Sequence, residues 1–416
     1  MASQQLFTVL RRRRGLRFFF AGMLVSRTGD FFNVIAIAWL TLEIAGPKEL
    51  GLLFAAAGVA GAVTAPLAGY WLDRFGLRRL LFLDNATRAV LAAMLPLLMW
   101  HGNLTIPVLF AFTLVSGALG TITELGQSVV IPMLVEEGEL DAANTLISVI
   151  WEVSTWIGPA LAGVTVEFAG IVPALFIDAG TFGVMALVSL AMPARIPSDG
   201  EASTPRAHIL SGFRLIRATR PVTVTVTTVL CLLMLAGLLE VFFPFFTKEM
   251  LHTGPAGYGA LVSLVGFGAL VGAVYVSPWL GRRRLNLAIG WTFAARLVLL
   301  TPLAFTHSYA LAAAVLTVGS VLDGALTTVN RSVLQHQIPL HLRGRVLGAA
   351  RALTAGGYPL GSAGAGLLMT VLSPGALVLI GVVAFLPVTG WISRSRLAKA
   401  NAFAEPEPAP AASAAA

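Results

Sequence analysis

Charge is what this chain has least of. Among its 416 residues only 12% are Asp, Glu, Lys or Arg, about half the roughly 25% usual in soluble domains. Apolar residues make up 57%, and the mean hydropathy is +0.84. A water-facing globule cannot hide that much apolar surface, so the bilayer must be the solvent. Cysteine is almost absent: Cys231 stands alone, which excludes an intramolecular disulfide framework. Six scattered histidines and one cysteine are too few for a structural zinc site. There is no Walker phosphate loop, no His-Glu-x-x-His pair and no extramembrane stretch large enough for chemistry. These absences set aside an enzyme, a receptor and an ATP-driven pump contained in this chain. His336 and His341 lack nearby acids and read as loop residues. A cleavable signal pattern is also missing. Arg11 to Arg14 precede an apolar run of about 25 residues, longer than the roughly 7–15 of a signal-peptide core.

What is present is a succession of long apolar runs. A membrane span needs about 20 such residues. Twelve runs qualify: 17–42, 51–72, 80–100, 105–134, 142–168, 171–192, 221–249, 256–280, 285–305, 308–335, 344–372 and 375–396. They lack strand-like alternation, and a span must satisfy its own backbone hydrogen bonds, so they are helices. The net charge of +8 does not imply nucleic acid. The positive charges sit in short clusters between spans, which is how topology is encoded. With both termini inside the cell, 21 of the 28 Lys and Arg fall in cytoplasmic segments and two, Lys48 and Lys248, outside. That asymmetry orients the chain as a multi-pass protein of the cytoplasmic membrane. Loop 4–5 carries Glu136, Glu137, Glu139 and Asp141 and no base, but acids contribute little to orientation.

The polar stretch 193–220, with Pro193, Pro197 and Pro205, divides the chain into a six-helix bundle over 1–192 and another over 221–396. Its end, 213–217, reads as a short interfacial helix. The tail 397–416 alternates Ala, Pro and Glu and reads as disordered. The halves are faintly repeated. Gly158-Pro159 in span five matches Tyr358-Pro359 in span eleven, the prolines 200 positions apart. Gly281-Arg282-Arg283-Arg284 echoes the loop at 69–79 without its aspartate. Parallel repeats of this kind are a transporter architecture with the site at their interface.

The segment 69–79 sits between spans two and three and contains Gly69, Asp73, Arg74, Gly76, Arg78 and Arg79. A glycine, Asp-Arg-x-Gly four residues on, and then bases make up a loop in which the chain resembles the major facilitator superfamily. The resemblance runs over nearly the whole length. Gly158, Pro159 and Gly163 partly match the antiporter motif of its drug-exporting branches, with Ser154 and Ala162 where glycines are usual. Ser26 to Asp30, Ala143-Asn144 and Arg343 to Val346 are similar to bacterial multidrug, macrolide and enterobactin-type exporters.

The resemblance implies an all-α membrane protein of twelve helices in two six-helix pseudo-repeats. It implies a monomeric secondary transporter with no cofactor beyond the proton gradient, exporting lipophilic drug-like compounds or siderophores by antiport. Uptake of a nutrient, or lipid or lysolipid flipping, shares the fold and remains the alternative. In the family, spans 1, 4, 7 and 10 line the cavity and 3, 6, 9 and 12 are peripheral. Asp73 would meet the start of span eleven near Gly344 and Arg345, as an anion meets a helix N-terminus, and lock the cytoplasmic side. Arg74 or Arg78 would pair with Glu124. A plain positive-inside anchor is the other reading of this loop.

Ionisable residues inside a membrane are functional hypotheses by default. Arg27 and Asp30 share a face of span one, so Asp30 is either the protonatable carboxylate or half of a structural pair. Glu152, Glu240 and Asp323 are lone acids on spans five, seven and ten and are candidates for proton or substrate contact. Asp84 with Arg88, Asp178 and Arg296 lie on peripheral spans and read as structural, and Arg351 as a partner for an acid across the interface. Recurrent glycines read as close helix packing. Trp39, Trp100 and Phe246 lie close to outer span ends and read as interfacial anchors. If the loop governs conformation and not substrate choice, Asp73→Asn slows turnover in a transport assay and leaves substrate affinity nearly unchanged. A large loss of affinity at normal turnover would overturn that reading.

Overall fold

A computed structural model describes residues 14–135, 139–192, 213–217, 219–336, 338 and 340–395. The described residues are helical almost throughout, with no strand. The helices are α1 (Arg14–Ile44), α2 (Pro47–Phe75), α3 (Leu77–Trp100), α4 (Ile106–Leu134), α5 (Leu140–Ala169), α6 (Ile171–Leu190), α7 (Arg220–Glu249), α8 (Pro255–Leu280), α9 (Leu285–Leu300), α10 (Tyr309–His336), α11 in two pieces (Leu340–Thr354 and Gly357–Leu368), and α12 (Pro374–Arg394). Each of the twelve expected spans has its helix. Eleven are individually long and apolar enough to cross a membrane. Residues 213–217, where a short interfacial helix was expected, form one turn and a half of helix. The rest of the central stretch, the tail, and Glu136 and Glu137 lie outside the described residues.

Span eleven departs from the continuous helix expected over 344–372. It breaks at Ala355 and Gly356. Pro359 has no N–H to offer the carbonyl of Ala355, and its ring crowds that carbonyl. Two adjacent glycines, Gly356 and Gly357, remove what helix propensity remained. The two pieces, 15 and 12 residues long, together reach about 40 Å at 1.5 Å per residue, enough to span. In α8 a single π-helical turn, Gly272–Val276, interrupts the α-helix.

Gly76 of the loop motif is the only residue between α2 and α3. It has φ +77°, a conformation costly to any residue with a Cβ. A glycine there is therefore a requirement of the turn itself.

The side where α1 begins and α12 finishes is termed the near end, and the opposite side the far end. One apolar core joins the two six-helix repeats at the far end, running from Ile35, Leu50 and Ala162 to Leu235, Phe242 and Tyr258, and continues within the second repeat as far as Leu280 and Ile392. At the near end the first repeat has its own cluster, including Phe19, Leu72, Leu81 and Ile131. Ile216, Val222, Val346 and Ala349 form a separate one in the second repeat. The repeats therefore seal against each other at the far end and part at the near end. Phe246 is fully buried in the shared core and is not the interfacial anchor expected from its position. Trp100, 76% exposed, does face outward.

Two helix crossings make the seal. In α5 and α8, a Cβ on Gly163 would stand 2.5 Å from the Pro255 carbonyl, and Gly259 faces the Pro159 carbonyl as closely. In α2 and α11, a Cβ on Gly366 would stand 2.7 Å from the Pro47 carbonyl. Backbones can approach this closely only where side chains are missing. Ala160 N–H donates to Ser263 Oγ at 2.9 Å across the α5–α8 crossing. Two polar contacts flank the crossings. Ala256 N–H, in the first turn of α8, donates to Glu167 Oε2 at 3.3 Å, and Lys248 Nζ donates to the Leu42 carbonyl in the last turn of α1 at 3.5 Å. An anion thus meets a helix N-terminus and a cation a helix C-terminus, the favourable senses of the helix dipole.

Gly259→Val should prevent the far end from closing. In a Cys231→Ser background, spin labels at Lys48→Cys and Thr370→Cys should show a longer mean distance with Gly259→Val than without it. An unchanged distance distribution would show that the crossing does not hold the seal.

Candidate functional site

Under the seal lies a cavity of about 250 Å³. Its walls come from α1, α2 and α4, with single residues from α3, α6, α7 and α11. Most of the surface is apolar, from residues such as Ile37, Leu53, Phe112 and Phe182. Asp30 from α1 and Glu240 from α7 both face it, one from each repeat, and Asn33, Arg88, Thr113, Ser116 and Tyr358 supply the rest of its polar surface. Spans 1, 4 and 7 of the expected wall are represented in it. Nothing from α10 lines this cavity, and the expected peripheral α3 and α6 do. The reason is that α3 and α6 pack so closely against α1, α4 and each other that their buried polar faces point inward.

Asp30 belongs to a cluster of charges in the first repeat. Arg27 Nη1 lies 3.8 Å from Asp30 Oδ2, and Arg27 Nη2 lies 3.7 Å from Glu124 Oε1. The guanidinium is stacked 3.6 Å from the centroid of the Trp151 ring on α5, a cation–π contact strengthened by poor hydration. Both ion pairs are longer than a charge-assisted hydrogen bond of 2.7–2.9 Å, so Arg27 is held by the ring and shared by two carboxylates. Glu124 pairs here and not with Arg74 or Arg78. Arg74 is instead bonded to the Tyr70 hydroxyl at 2.6 Å, four residues back on its own helix. Glu124 sits too deep in α4, ten residues before its end, for the loop arginines.

Deeper in the repeat, Arg88 Nη2 bonds Asp84 Oδ2 at 3.0 Å and Thr123 Oγ1 at 2.6 Å, and the Thr123 hydroxyl donates to the same aspartate. The guanidinium also lies 4.4 Å from the centroid of the Phe182 ring. Asp84 and Arg88 are almost completely buried, and Arg88 reaches the cavity beside Asp30. Asp178 on α6 accepts a hydrogen bond from Asn33 Nδ2 at 2.9 Å and has no exposure. Asp30 and Asp178 are within electrostatic reach of each other and of Arg88. The pair on α3 and the acid on α6 therefore extend to the cavity. One signal for this was in the sequence: Arg27, Asp30 and Asn33 recur every third residue on one face of α1. Nothing in the sequence pointed to Tyr358, which the break in α11 places at the cavity.

The second repeat is the opposite. Glu240 has no ion-pair partner among the described residues, and its polar neighbours are Tyr258 and Tyr358. A lone carboxylate is costly in that setting. Asp323, expected to be a lone acid, is not one. Arg296 Nη2 of α9 lies 3.3 Å from its Oδ1, and neither lines the cavity. Glu152 also stands outside the cavity walls, on α5, within electrostatic reach of Arg331 of α10. Arg351 is exposed and has no ion-pair partner among the described residues.

Of the antiporter-type residues, Gly158 packs on Phe31, where a Cβ would stand 2.5 Å from the ring. Pro159 and Gly163 belong to the far-end crossing. Ser154, at a position where glycine was usual, is buried and 3.5 Å from the Thr28 hydroxyl. The side chains of Asp73 and Arg345, and the surroundings of Gly344, lie outside the described residues. Gly69 is not closely packed, with Leu125 4.0 Å from where its Cβ would be.

The family model described as Major Facilitator Superfamily matches residues 19–362. The multidrug efflux pump Tap of Mycolicibacterium fortuitum is 25% identical over 389 residues, covering 88% of this chain and 93% of that protein. An uncharacterized MFS-type transporter of Sinorhizobium fredii, y4rN, is 26% identical over 384 residues, covering 90% and 93%. Among solved structures, a mutant of the nucleoside transporter NupG superposes with TM-score 0.75 at 14% identity, over 91% of this chain and 98% of that one. A bacterial homologue of the iron transporter ferroportin in an inward-facing state superposes with TM-score 0.70 at 16% identity, over 92% and 99%.

Arg88 is the keystone of the buried network. Arg88→Leu should cost about 3–5 kcal/mol by stranding Asp84, read as a lower melting temperature in detergent. Replacing both partners, Asp84→Leu with Arg88→Met, should recover most of that loss. A double variant no more stable than the single one would show that packing, not charge, is at stake.

Proposed function

The chain belongs to the Major Facilitator Superfamily of membrane transporters, and on that premise we propose that it is a proton-coupled exporter of lipophilic, drug-like compounds. The observation that carries the reading is the pair of carboxylates, Asp30 and Glu240, facing one mostly apolar cavity from opposite repeats. Around Asp30, four carboxylates (Asp30, Asp84, Glu124 and Asp178) stand against two guanidinium groups, Arg27 and Arg88. Glu240 has no counter-charge at all among the described residues. Protons or a cationic cargo would supply the missing positive charge, and each would exclude the other. That competition is the simplest physical basis for exchange. The kinship with Tap supports efflux, and the apolar walls support a lipophilic cargo.

On the Lys and Arg count the near end is cytoplasmic, so this state is sealed to the outside and parted towards the cytoplasm, ready to receive cargo from within. Drug-sized ligands usually occupy about 300–1,000 Å³. The 250 Å³ cavity therefore holds a compact ligand or one end of a larger one, with the remainder towards the parted near end. The loop at Asp73 would act in the alternate state, where the near ends meet, and closure there would bring Glu152 to Arg331. Asp323, in its pair with Arg296, acts as a brace for α9 and α10.

The test is accumulation in inverted membrane vesicles. With an acid interior, vesicles carrying the protein should take up a lipophilic cation or a macrolide. Glu240→Gln and Asp30→Asn should each reduce this uphill uptake at least tenfold while downhill equilibration persists. Uphill transport by both variants at the normal rate would overturn the proton assignment. Accumulation of a nutrient by whole cells without drug resistance would favour uptake instead.

A further inference from the structure

The loop between α8 and α9 is left unused by the transport site. It carries Arg282, Arg283 and Arg284 in succession and borders a surface groove of about 540 Å³. One wall is the end of α8, where Trp279 is 57% exposed. The other is a stripe of α9, with Arg284, Leu287, Trp291 and Thr292 lining the groove. Spacings of three and four residues put these on one face. Trp291 is 68% exposed, and it stands about 10 Å along the helix from Arg284 at 1.5 Å per residue. The Arg283 guanidinium lies over the Trp279 ring, 4.5 Å from its centroid. Asn286 Nδ2 donates to the carbonyls of Ser393 and Ser395 at 2.9 and 3.0 Å, so the start of α9 is tied to the end of α12 and its stripe is fixed in place. Among the described residues no carboxylate pairs with Arg283 or Arg284.

We propose that this groove binds one anionic phospholipid of the surrounding leaflet. Arg283 and Arg284 take the phosphate, and Trp279, Leu287 and Trp291 lie along the glycerol and upper acyl chains. Arginine is suited to phosphate by its forked donors, and basic pockets at the ends of membrane helices are the known physical pattern for anionic headgroups. A zwitterionic lipid would bring its ammonium group against two guanidiniums and be disfavoured. A free anion would make no use of the apolar walls that run from the arginines into the span. A plain topological anchor would need the charges but neither the groove nor the two tryptophans. The proposal rests on membrane insertion alone and stands whichever way cargo moves.

The experiment is native mass spectrometry of the purified full chain exposed to equal amounts of phosphatidylglycerol and phosphatidylcholine with matched tails. The wild type should retain one phosphatidylglycerol at least tenfold in preference to phosphatidylcholine. Arg283→Gln with Arg284→Gln should abolish the preference, and Trp291→Ala should weaken retention severalfold. Arg214→Gln with Arg217→Gln, a charge-matched change at exposed arginines elsewhere, should retain the lipid as the wild type does. Elution as a single symmetrical peak in size exclusion verifies that each variant is folded. Equal retention of the two lipids, full retention by the Arg283/Arg284 variant, or displacement of the lipid by millimolar inorganic phosphate would overturn the proposal.

Discussion

Everything in this structure hangs on how closely two pairs of helices approach at the far end. Lipid is as apolar as a leucine side chain, so the hydrophobic effect does little to hold helices together in a membrane. Attraction must come from close packing and from hydrogen bonds that lipid cannot offer. Gly163 and Gly259 in one crossing, and Gly51 and Gly366 in the other, let backbone meet backbone. The shared core, the cavity beneath it and the parted near end follow from those contacts. The proline in each repeat adds to this. Pro159 presents its carbonyl at the α5–α8 crossing, and Pro359 breaks α11 just where Tyr358 must turn to the cavity. The same faint repeat thus does two different jobs.

Electrostatics divides labour between the repeats. The first holds its charges in a connected set, from Glu124 and Arg27 through Asp30 to Arg88, Asp84 and Asp178. Removing Asp84 or Arg88 leaves the other buried and unpaired, so that pair is the costly one to alter. The second keeps the Arg296–Asp323 pair away from the cavity and leaves Glu240 with no ion-pair partner among the described residues. A group without a partner is the one whose charge responds most to what enters the cavity. On the proposed reading the connected set tunes Asp30, and Glu240 meets the cargo with little to restrain it.

The helices were legible because span length and hydrophobicity are properties of single segments. The break in α11 was legible in principle, from Gly356-Gly357 and Pro359, but hydropathy does not register it. The cavity was half legible. Asp30, read as a protonatable carboxylate or as half of a pair with Arg27, and Glu240, read as a lone intramembrane acid, both face it. Asp323 looked just as isolated, because its partner Arg296 lies 27 residues away on another helix. Arg88 and Asp178 were set aside because α3 and α6 were taken as peripheral. A helix peripheral to the bundle still has an inner face, and i, i+4 spacing shows which residues share a face without showing where it points. Glu124 was matched to the loop arginines by nearness in a topology diagram. In space, depth along α4 decides its partner, and that is Arg27.

The two ends of the molecule are built to different rules, and the difference bears on how it switches. At the far end the polar contacts are modest: an exposed carboxylate at the first turn of α8 and a lysine at the last turn of α1, each worth about 0.3–1 kcal/mol as helix-dipole contacts at an exposed surface. They orient the crossings more than they bind them. At the near end the charges are denser but the repeats do not share a core, and the 282–284 loop has kept its bases without an aspartate. An equilibrium between two states is useful only when the gap is a few kcal/mol, small enough for a ligand's differential affinity to cross. Glycine packing at one end is short-ranged and is lost once the backbones part. Charge attraction at the other, such as that of Glu152 for Arg331, reaches further and grows as the gap closes. On the proposed reading, a short-range seal opposed by a longer-range attraction favours two shallow minima over one deep one, and neutralising or displacing a charge in the cavity between them would tip the balance.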